Sequence, residues 1–572
     1  MSAARALWVS LALLVLARGL LTFVPSMWGW GLNVQRFLDP VFGWGLWLLA
    51  ALALVPALAK RGVPALEKLG EGLASSPRAY AVVGLLGAAL IWLMPDRVWF
   101  VGDFLLRMGN VETGAFGGNF VNALPLDRFL HSALLQPFGR GSMEAANAAL
   151  RALGALEGGV LAMLAVAFAR ALRLTGIFAA LAAGIVFFGG YLTMFTGFGK
   201  PASELCLATV ALVTFGLRAI EGRTSLLPCG VVMAAALLLH RSSVMLLPAW
   251  LAIVAMTMRT YGGRRLANVL GIALPVVVGL VALPRILAIA TGYDLSHHLA
   301  PWSPRRVLDL ANLLLALSPL AIVSPLLLAL RGPAVGGRRD AALLLVLALS
   351  FLPALLLIAP QQGIFRDWDV FAPAAMAFSM LGAWLTVETV VAAPGRTWLA
   401  VTVCVLMGMS SLQWMALNRD VTRGLARVRA YILEPPGPPA ADRPLVWDFL
   451  TSRNMRLRRW SEAAQDAAHA AEDAPHRRIL LMWALAATNA EDFRDAQQVY
   501  RRLLEREPED PLGWLGLAGT AWRLNDRAEL ERAIAKLRSY APNGPERAAI
   551  RRHLMYYPQV WPARDSVSGW AP

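Results

Sequence analysis

Residues 341–391 read AALLLVLALSFLPALLLIAP, then QQGIFRDWD, then VFAPAAMAFSMLGAWLTVETVV. Each flanking run, Ala341 to Pro360 and Val370 to Val391, can cross a hydrocarbon core as a helix, which takes about 20 apolar residues. Between them stand Arg366, Asp367, Trp368 and Asp369. Charges beside a membrane span are costly unless they face water or one another, so they mark functional sites. Tryptophan in such a turn also suits a headgroup-level anchor, but three charges exceed what anchoring requires.

The rest of the chain repeats this pattern. Of 572 residues, 57% are hydrophobic and 16% charged, with a mean hydropathy of +0.55; a soluble domain carries about 25% charged residues. Apolar runs are centred on Leu14, Leu52, Leu86, Leu161, Ile185, Val210, Ala234, Leu251, Val277, Leu317, Leu349, Phe378 and Val405. The expected fold class is all-α, a polytopic membrane protein of about 13 transmembrane helices. The first run, Leu7 to Val24, lacks a small-residue cleavage signature after it and reads as a retained span. Cys206, Cys229 and Cys404 lie inside apolar runs without zinc-like spacing and read as small core residues. The net charge of +16 fits cytoplasmic loops and anionic lipid headgroups, so no nucleic-acid partner is expected.

Arginine and lysine place the loops. One alternate set of short connections holds Lys60, Arg61, Lys68 and Arg78, then pairs such as Arg264-Arg265 and Arg338-Arg339. The other set holds only Arg36, Lys200, Arg241, Arg305, Arg306 and Arg366. The positive-inside rule makes the richer side cytoplasmic, with the N-terminus. An odd number of spans then puts everything after about Trp414 outside.

A second composition begins beyond Pro435-Pro436-Gly437-Pro438-Pro439, charged and alanine-rich. Trp447, Leu480 and Trp514 recur at a repeat-like spacing, as do Ala463, Ala496 and Leu530, and Pro475, Pro508 and Pro542. A large residue early, a small one mid-repeat and a terminal proline form the tetratricopeptide pattern of paired helices, which stack into a solenoid that holds a peptide or protein. The expected organisation is an N-terminal hairpin and cytoplasmic loop over 1–76 and a transmembrane domain over 77–416 with a long outer loop at 95–151. A Pro-rich linker over 417–443, repeats over 444–545 and a tail over 546–572 follow.

On the outer side, polar residues converge. The long loop carries Gly102-Asp103, Asp127 and His131; the next outer connections carry Lys200 with Glu204, then His240-Arg241, then Asp294 with His297-His298, then the quartet. A carboxylate there can take a proton from an attacking hydroxyl. Cations can neutralise a phosphate leaving group, and carboxylates with histidines can hold a divalent metal. Plainer roles compete. Asp103 and Asp127 can cap helices, Lys200-Pro201 can anchor a span, and adjacent histidines diverge on a helix.

In order and sidedness, Gly102-Asp103, Pro125-Leu126-Asp127 with His131, Phe187-Phe188-Gly189 before Glu204, and Asp367-Trp368-Asp369-Val370-Phe371 resemble a known group. The group is the integral-membrane glycosyltransferases of the C superfamily, such as protein O-mannosyltransferases and the aminoarabinose transferase of lipid A. The motifs are also similar to those of uncharacterised bacterial membrane proteins with a tetratricopeptide tail. The resemblance covers 85–384. It implies a bacterial inner-membrane enzyme that moves a sugar from a polyprenyl-phosphate carrier to a glycan, lipid or protein acceptor at the outer face, among membrane lipids.

By that resemblance Asp103 is the catalytic base. Arg366, with Arg241 or Lys200, binds the carrier phosphate. Asp367, Asp369 or Glu204 meets sugar hydroxyls or a divalent metal, and His240, Asp127 and His131 complete the substrate site. The repeats would recruit the acceptor or a partner protein. One departure stands out: the superfamily's large outer loop follows its first span, and here it follows the third. The competing reading is a non-enzymatic envelope scaffold or lipid-linked-glycan transporter. Transport would use charges buried mid-span, and Arg18 is the conspicuous one.

Overall fold

The computed structural model describes residues 2–114, 120, 123–261, 266–292, 303–335, 338–440 and 442–561. Their regular elements are helices throughout. The chain divides into two compact units, Met1–Arg427 and Val428–Pro572.

The first unit opens with α1 (Ala3–Leu21), α2 (Pro40–Ala53), α3 (Pro56–Ser75) and α4 (Arg78–Leu93). The long loop follows, with α5 (Phe104–Thr113) and a helical turn Pro125–Arg128 that widens into a π-turn at Phe129–Ala133. Next come α6 (Met143–Ala171), α7 (Gly176–Phe187), α8 (Pro201–Ile220), α9 (Leu227–Leu239), α10 (Leu247–Tyr261) and α11 (Leu266–Gly292). The series ends with α12 (Pro304–Leu317), α13 (Pro319–Val335), α14 (Arg339–Leu357), α15 (Ala372–Val391), α16 (Trp398–Arg419) and α17 (Val421–Leu433).

Among the described residues, eight helices are long and apolar enough to span alone, and up to 11 if each of three bent pairs counts as one span. The shorter apolar helices α4 and α9 account for the remaining expected centres. Two runs differ from a straight span. The run around Leu52 ends at Ala53, and α3 turns away by 94°; α3 carries Lys60, Arg61, Glu67 and Lys68 and is too polar to continue through lipid. The run around Leu317 breaks at Ser318, where α12 and α13 diverge by 101°. Pro319 disfavours helical geometry at the residue before it, and Ser318 takes φ −149°, ψ 79°.

The quartet leads into the centre of the unit. Met376, Met380 and Trp384 of α15 are all buried, as an all-round apolar helix must be when other helices surround it. Trp368 is buried too, edge-on to Phe198 and Trp414. It is a core residue, and the interfacial-anchor alternative for it falls away.

The stretch 417–443, expected as a linker from its prolines, is helical over Val421–Leu433; only the part beyond that helix holds the proline run. The second unit then repeats a helix pair: α18 (Arg443–Arg456) with α19 (Trp460–Asp473), α20 (Arg477–Asn489) with α21 (Phe493–Arg506), and α22 (Pro511–Arg523) with α23 (Arg527–Ser539). A last helix, α24 (Pro545–Tyr556), closes the series. Trp447, Leu480, Ala463 and Ala496 are core residues. Asp492 and Asp526 cap α21 and α23 by accepting from the third residue on, as N-cap aspartates do. Arg458, Glu491 and Asn525, each just before a second helix, adopt left-handed φ of 56°, 64° and 57°.

Candidate functional site

The site is assembled from helix ends. Pro201 at the first position of α8 has no N–H to lose, which leaves Lys200 just outside the helix. α9 stops at His240, whose extended backbone (φ −156°, ψ 145°) turns into the 3-10 segment Arg241–Leu246. The quartet forms another 3-10 turn over Trp368–Phe371, with Asp367 before it. Asp103 stands just before α5, at its N-cap.

These ends line one cavity of about 240 Å³. Its polar wall is Asp103, Arg107, Lys200, His240, Arg241, Asp367 and Asp369, and its apolar wall includes Leu205, Ile358, Val370 and Pro373. Six residues singled out in the sequence thus meet: Asp103, Lys200, His240, Arg241, Asp367 and Asp369.

Asp103 occupies the N-cap position of α5 but makes no capping bond with its side chain, and its φ is +62°. Left-handed backbone costs a non-glycine residue roughly 1–2 kcal/mol, although aspartate tolerates it better than most. The carboxylate is exposed to the cavity and has no hydrogen-bond or ion-pair partner among the described residues. Gly102 explains how the loop approaches the quartet. A Cβ there would lie 2.2 Å from Asp367 Oδ1, so a side chain at 102 would displace the Asp367 carboxylate.

Asp367 Oδ2 accepts the Gln362 N–H at 3.0 Å. Burial first, and the Asp369 carboxylate second, push its carboxyl up to about 6. Lys200 Nζ donates to Asp369 Oδ2 at 2.9 Å, with both side chains buried, while Asp369 Oδ1 is buried without a partner. His240 Nδ1 accepts from the Ser242 N–H at 3.2 Å, which leaves its proton on Nε2. Burial and the adjacent Arg241 push this imidazole down to about 4, so it is neutral at physiological pH.

Arg366 is not brought to the cavity. Its Nε donates to the Phe100 carbonyl at 3.2 Å and its guanidinium lies 5.3 Å from the Phe100 ring centroid. Asp127, His131 and Glu204 also stand behind the cavity wall rather than on it. Asp127 is gripped by both terminal nitrogens of Arg107, at 2.9 and 3.2 Å, and its Oδ1 is 2.7 Å from His131 Nδ1. Burial favours a protonated Asp127, but Arg107 and His131 outweigh it and hold the carboxyl well below the usual range. Burial also opposes charge on His131, yet Glu204 and Asp127 on either side push it up to about 9. His131 Nε2 reaches Glu204 Oε1 at 2.9 Å. Asp294, His297 and His298 lie outside the described residues.

Two residues were missed in the sequence. Arg107 is one helical turn beyond Asp103, and that spacing was its signal. Glu157 sits in the apolar run of α6 and is buried; an acid inside a span is itself a signal. With Glu204 it shows that Arg18 is not the sole buried ionisable side chain within a span among the described residues. Arg18 is buried as well, donating to Gln413 Oε1 at 3.1 Å.

Comparison with known proteins gives two similarities. The tetratricopeptide repeat model matches residues 477–520. The crystal structure of the Archaeoglobus fulgidus oligosaccharyltransferase, in complex with Zn and sulfate, aligns at 16% identity with a TM-score of 0.34. That alignment covers 63% of this chain and 53% of the archaeal one, so the chain spans about half of that protein's length. No curated protein matches. The chain is thus a multi-pass, all-helical membrane protein whose C-terminal unit is similar to tetratricopeptide repeats.

Proposed function

We propose that this protein is a membrane glycosyltransferase that moves a sugar from a polyprenyl-phosphate carrier to an acceptor hydroxyl at the outer face of a bacterial inner membrane. The observation that carries the reading is the cavity. It sets an unpartnered carboxylate, Asp103, among Arg107, Lys200 and Arg241, with an apolar wall beside them.

In the proposed step the acceptor oxygen attacks the anomeric carbon and its proton goes to Asp103. The bond from that carbon to the phosphate oxygen breaks, and the carrier phosphate leaves with the electron pair. Arg241 and Lys200, with Arg107 behind them, neutralise the charge that develops on the phosphate. Asp367 and Asp369 accept hydrogen bonds from sugar hydroxyls, and His240 donates through Nε2. Leu205, Ile358, Val370 and Pro373 suit the first isoprene units of the carrier. The repeat unit recruits the acceptor or a partner protein.

The test uses the full chain in its native membrane. Mass spectrometry of polyprenyl-linked sugars and envelope glycans would compare wild type, a deletion strain and Asp103→Asn. One lipid-linked sugar should accumulate, and one glycan should disappear, in both the deletion and the variant. Unchanged pools in the deletion would point to a scaffold and sink the transferase reading.

A further inference from the structure

Behind the cavity, His131 of the π-turn, Glu157 of α6 and Glu204 of α8 converge, with one ligand atom from each lying within 4.8 Å of the others. His131 is 1% and Glu157 9% exposed. The proposed transfer uses none of the three. Their arrangement has three features that a simple ion-pair cluster does not need.

The imidazole is aimed. Asp127 holds Nδ1 from behind at 2.7 Å and is itself fixed by Arg107. A carboxylate behind a histidine sets the ring and presents the other nitrogen to a metal. That other nitrogen, Nε2, is fully buried and lacks a hydrogen bond, as does Glu204 Oε1. The two atoms are only 2.9 Å apart and face one another as an ion pair. The second Glu204 oxygen accepts from Ser203 Oγ at 3.0 Å. Finally, Glu157 brings a second carboxylate from another helix to the same point, with its ligand atom within 4.8 Å of the other two.

We propose that His131, Glu157 and Glu204 bind a divalent transition-metal ion of the zinc type, which ties the outer loop to α6 and α8. Zinc takes both imidazole nitrogen at about 2.0–2.1 Å and carboxylate oxygen at about 2.0–2.2 Å, and the imidazole favours it over magnesium, which prefers an octahedron of oxygens and waters. Ligands about 2.1 Å from a tetrahedral ion stand roughly 3.4 Å apart, so His131 and Glu204, now 2.9 Å apart, would part slightly to admit the ion while Glu157 draws in. The ion would position rather than react. Through Asp127 it fixes Arg107, and Arg107 lines the cavity. The metal site is independent of the transfer reading, because it can hold an ion whatever the cavity does.

The test is metal content and stability of the purified full chain in detergent. The protein is stripped with a chelator, reloaded with Zn²⁺ and desalted, and bound zinc is measured by mass spectrometry. Wild type should hold one ion per chain, and Glu157→Gln and His131→Ala should hold none. Asp127→Asn, which loosens the ring without removing a ligand, should bind roughly 10- to 100-fold more weakly. Chelation should lower the Tm of wild type, zinc should restore it, and Glu157→Gln should respond to neither. Should a variant fail to fold, Co²⁺ loaded into wild type decides, since a buried nitrogen–oxygen site gives visible ligand-field bands. A zinc-free wild type, equal zinc in wild type and Glu157→Gln, or featureless cobalt spectra would each overturn the proposal.

Discussion

Asp367 carries a carboxyl pushed up to about 6 by burial and by Asp369, against about 3.9 in an unfolded chain. The folded protein therefore binds the extra proton between those values. The stability linked to the protonated form is complete below about pH 4 and is lost as pH rises through about 6. Above that, the ionised group costs on the order of 3 kcal/mol. Asp367→Asn keeps an acceptor for the Gln362 N–H and removes the charge. Its Tm should exceed wild type by a few degrees at pH 7.5, and the gain should vanish near pH 4; matching Tm values at pH 7.5 would refute the argument. Asp103 behaves differently. Its carboxylate has no partner to lose among the described residues, and asparagine accepts left-handed backbone well, so Asp103→Asn should change stability by less than about 0.5 kcal/mol. Turnover should fall by roughly 10²–10⁴-fold, and a variant that retains full turnover would remove Asp103 from the base role. Helix capping is the rival role for this residue in the sequence. The structure keeps the cap position but leaves the side chain out of it, a distinction that no single residue type encodes.

At the level of the element, apolar runs locate the helices but not their breaks. Ser318-Pro319 is visible as a dipeptide, yet the 101° bend there depends on what α12 and α13 pack against. The repeat phase is clearer, because proline, tryptophan and alanine recur together. The turn inside each repeat is hidden, since Arg458 and Glu491 are not residues that advertise left-handed backbone. That turn gives a direct test. Glu491→Gly relieves a conformation worth about 1 kcal/mol and should raise the Tm of the repeat unit by a few degrees. Glu491→Val should lower it, because a β-branched side chain suits that φ worst. A glycine variant less stable than wild type would mean that the Glu491 side chain contributes more than its backbone costs.

For the whole molecule, residues 428–572 form a compact unit with its own core of Trp447, Tyr500 and Leu515. Expressed alone, they should give a helical circular dichroism spectrum and one cooperative melt; a broad, non-cooperative transition would show that the unit needs the rest of the chain. Charge asymmetry along the sequence gathers Lys200, His240, Arg241 and the quartet on one side, and most of the cavity follows from that. What sidedness cannot separate is the cavity lining from the cluster behind it, or from Arg366, which turns to Phe100. Only packing in three dimensions makes that choice. The contact between Gly102 and Asp367 reaches beyond this single chain. Positions 102 and 367 share one small volume, so a change at one alters what the other can hold. In descendants of a common ancestor, a side chain gained at 102 should be accompanied by a smaller residue at 367, and the pair should register as covarying even though the chain between them spans most of the membrane domain.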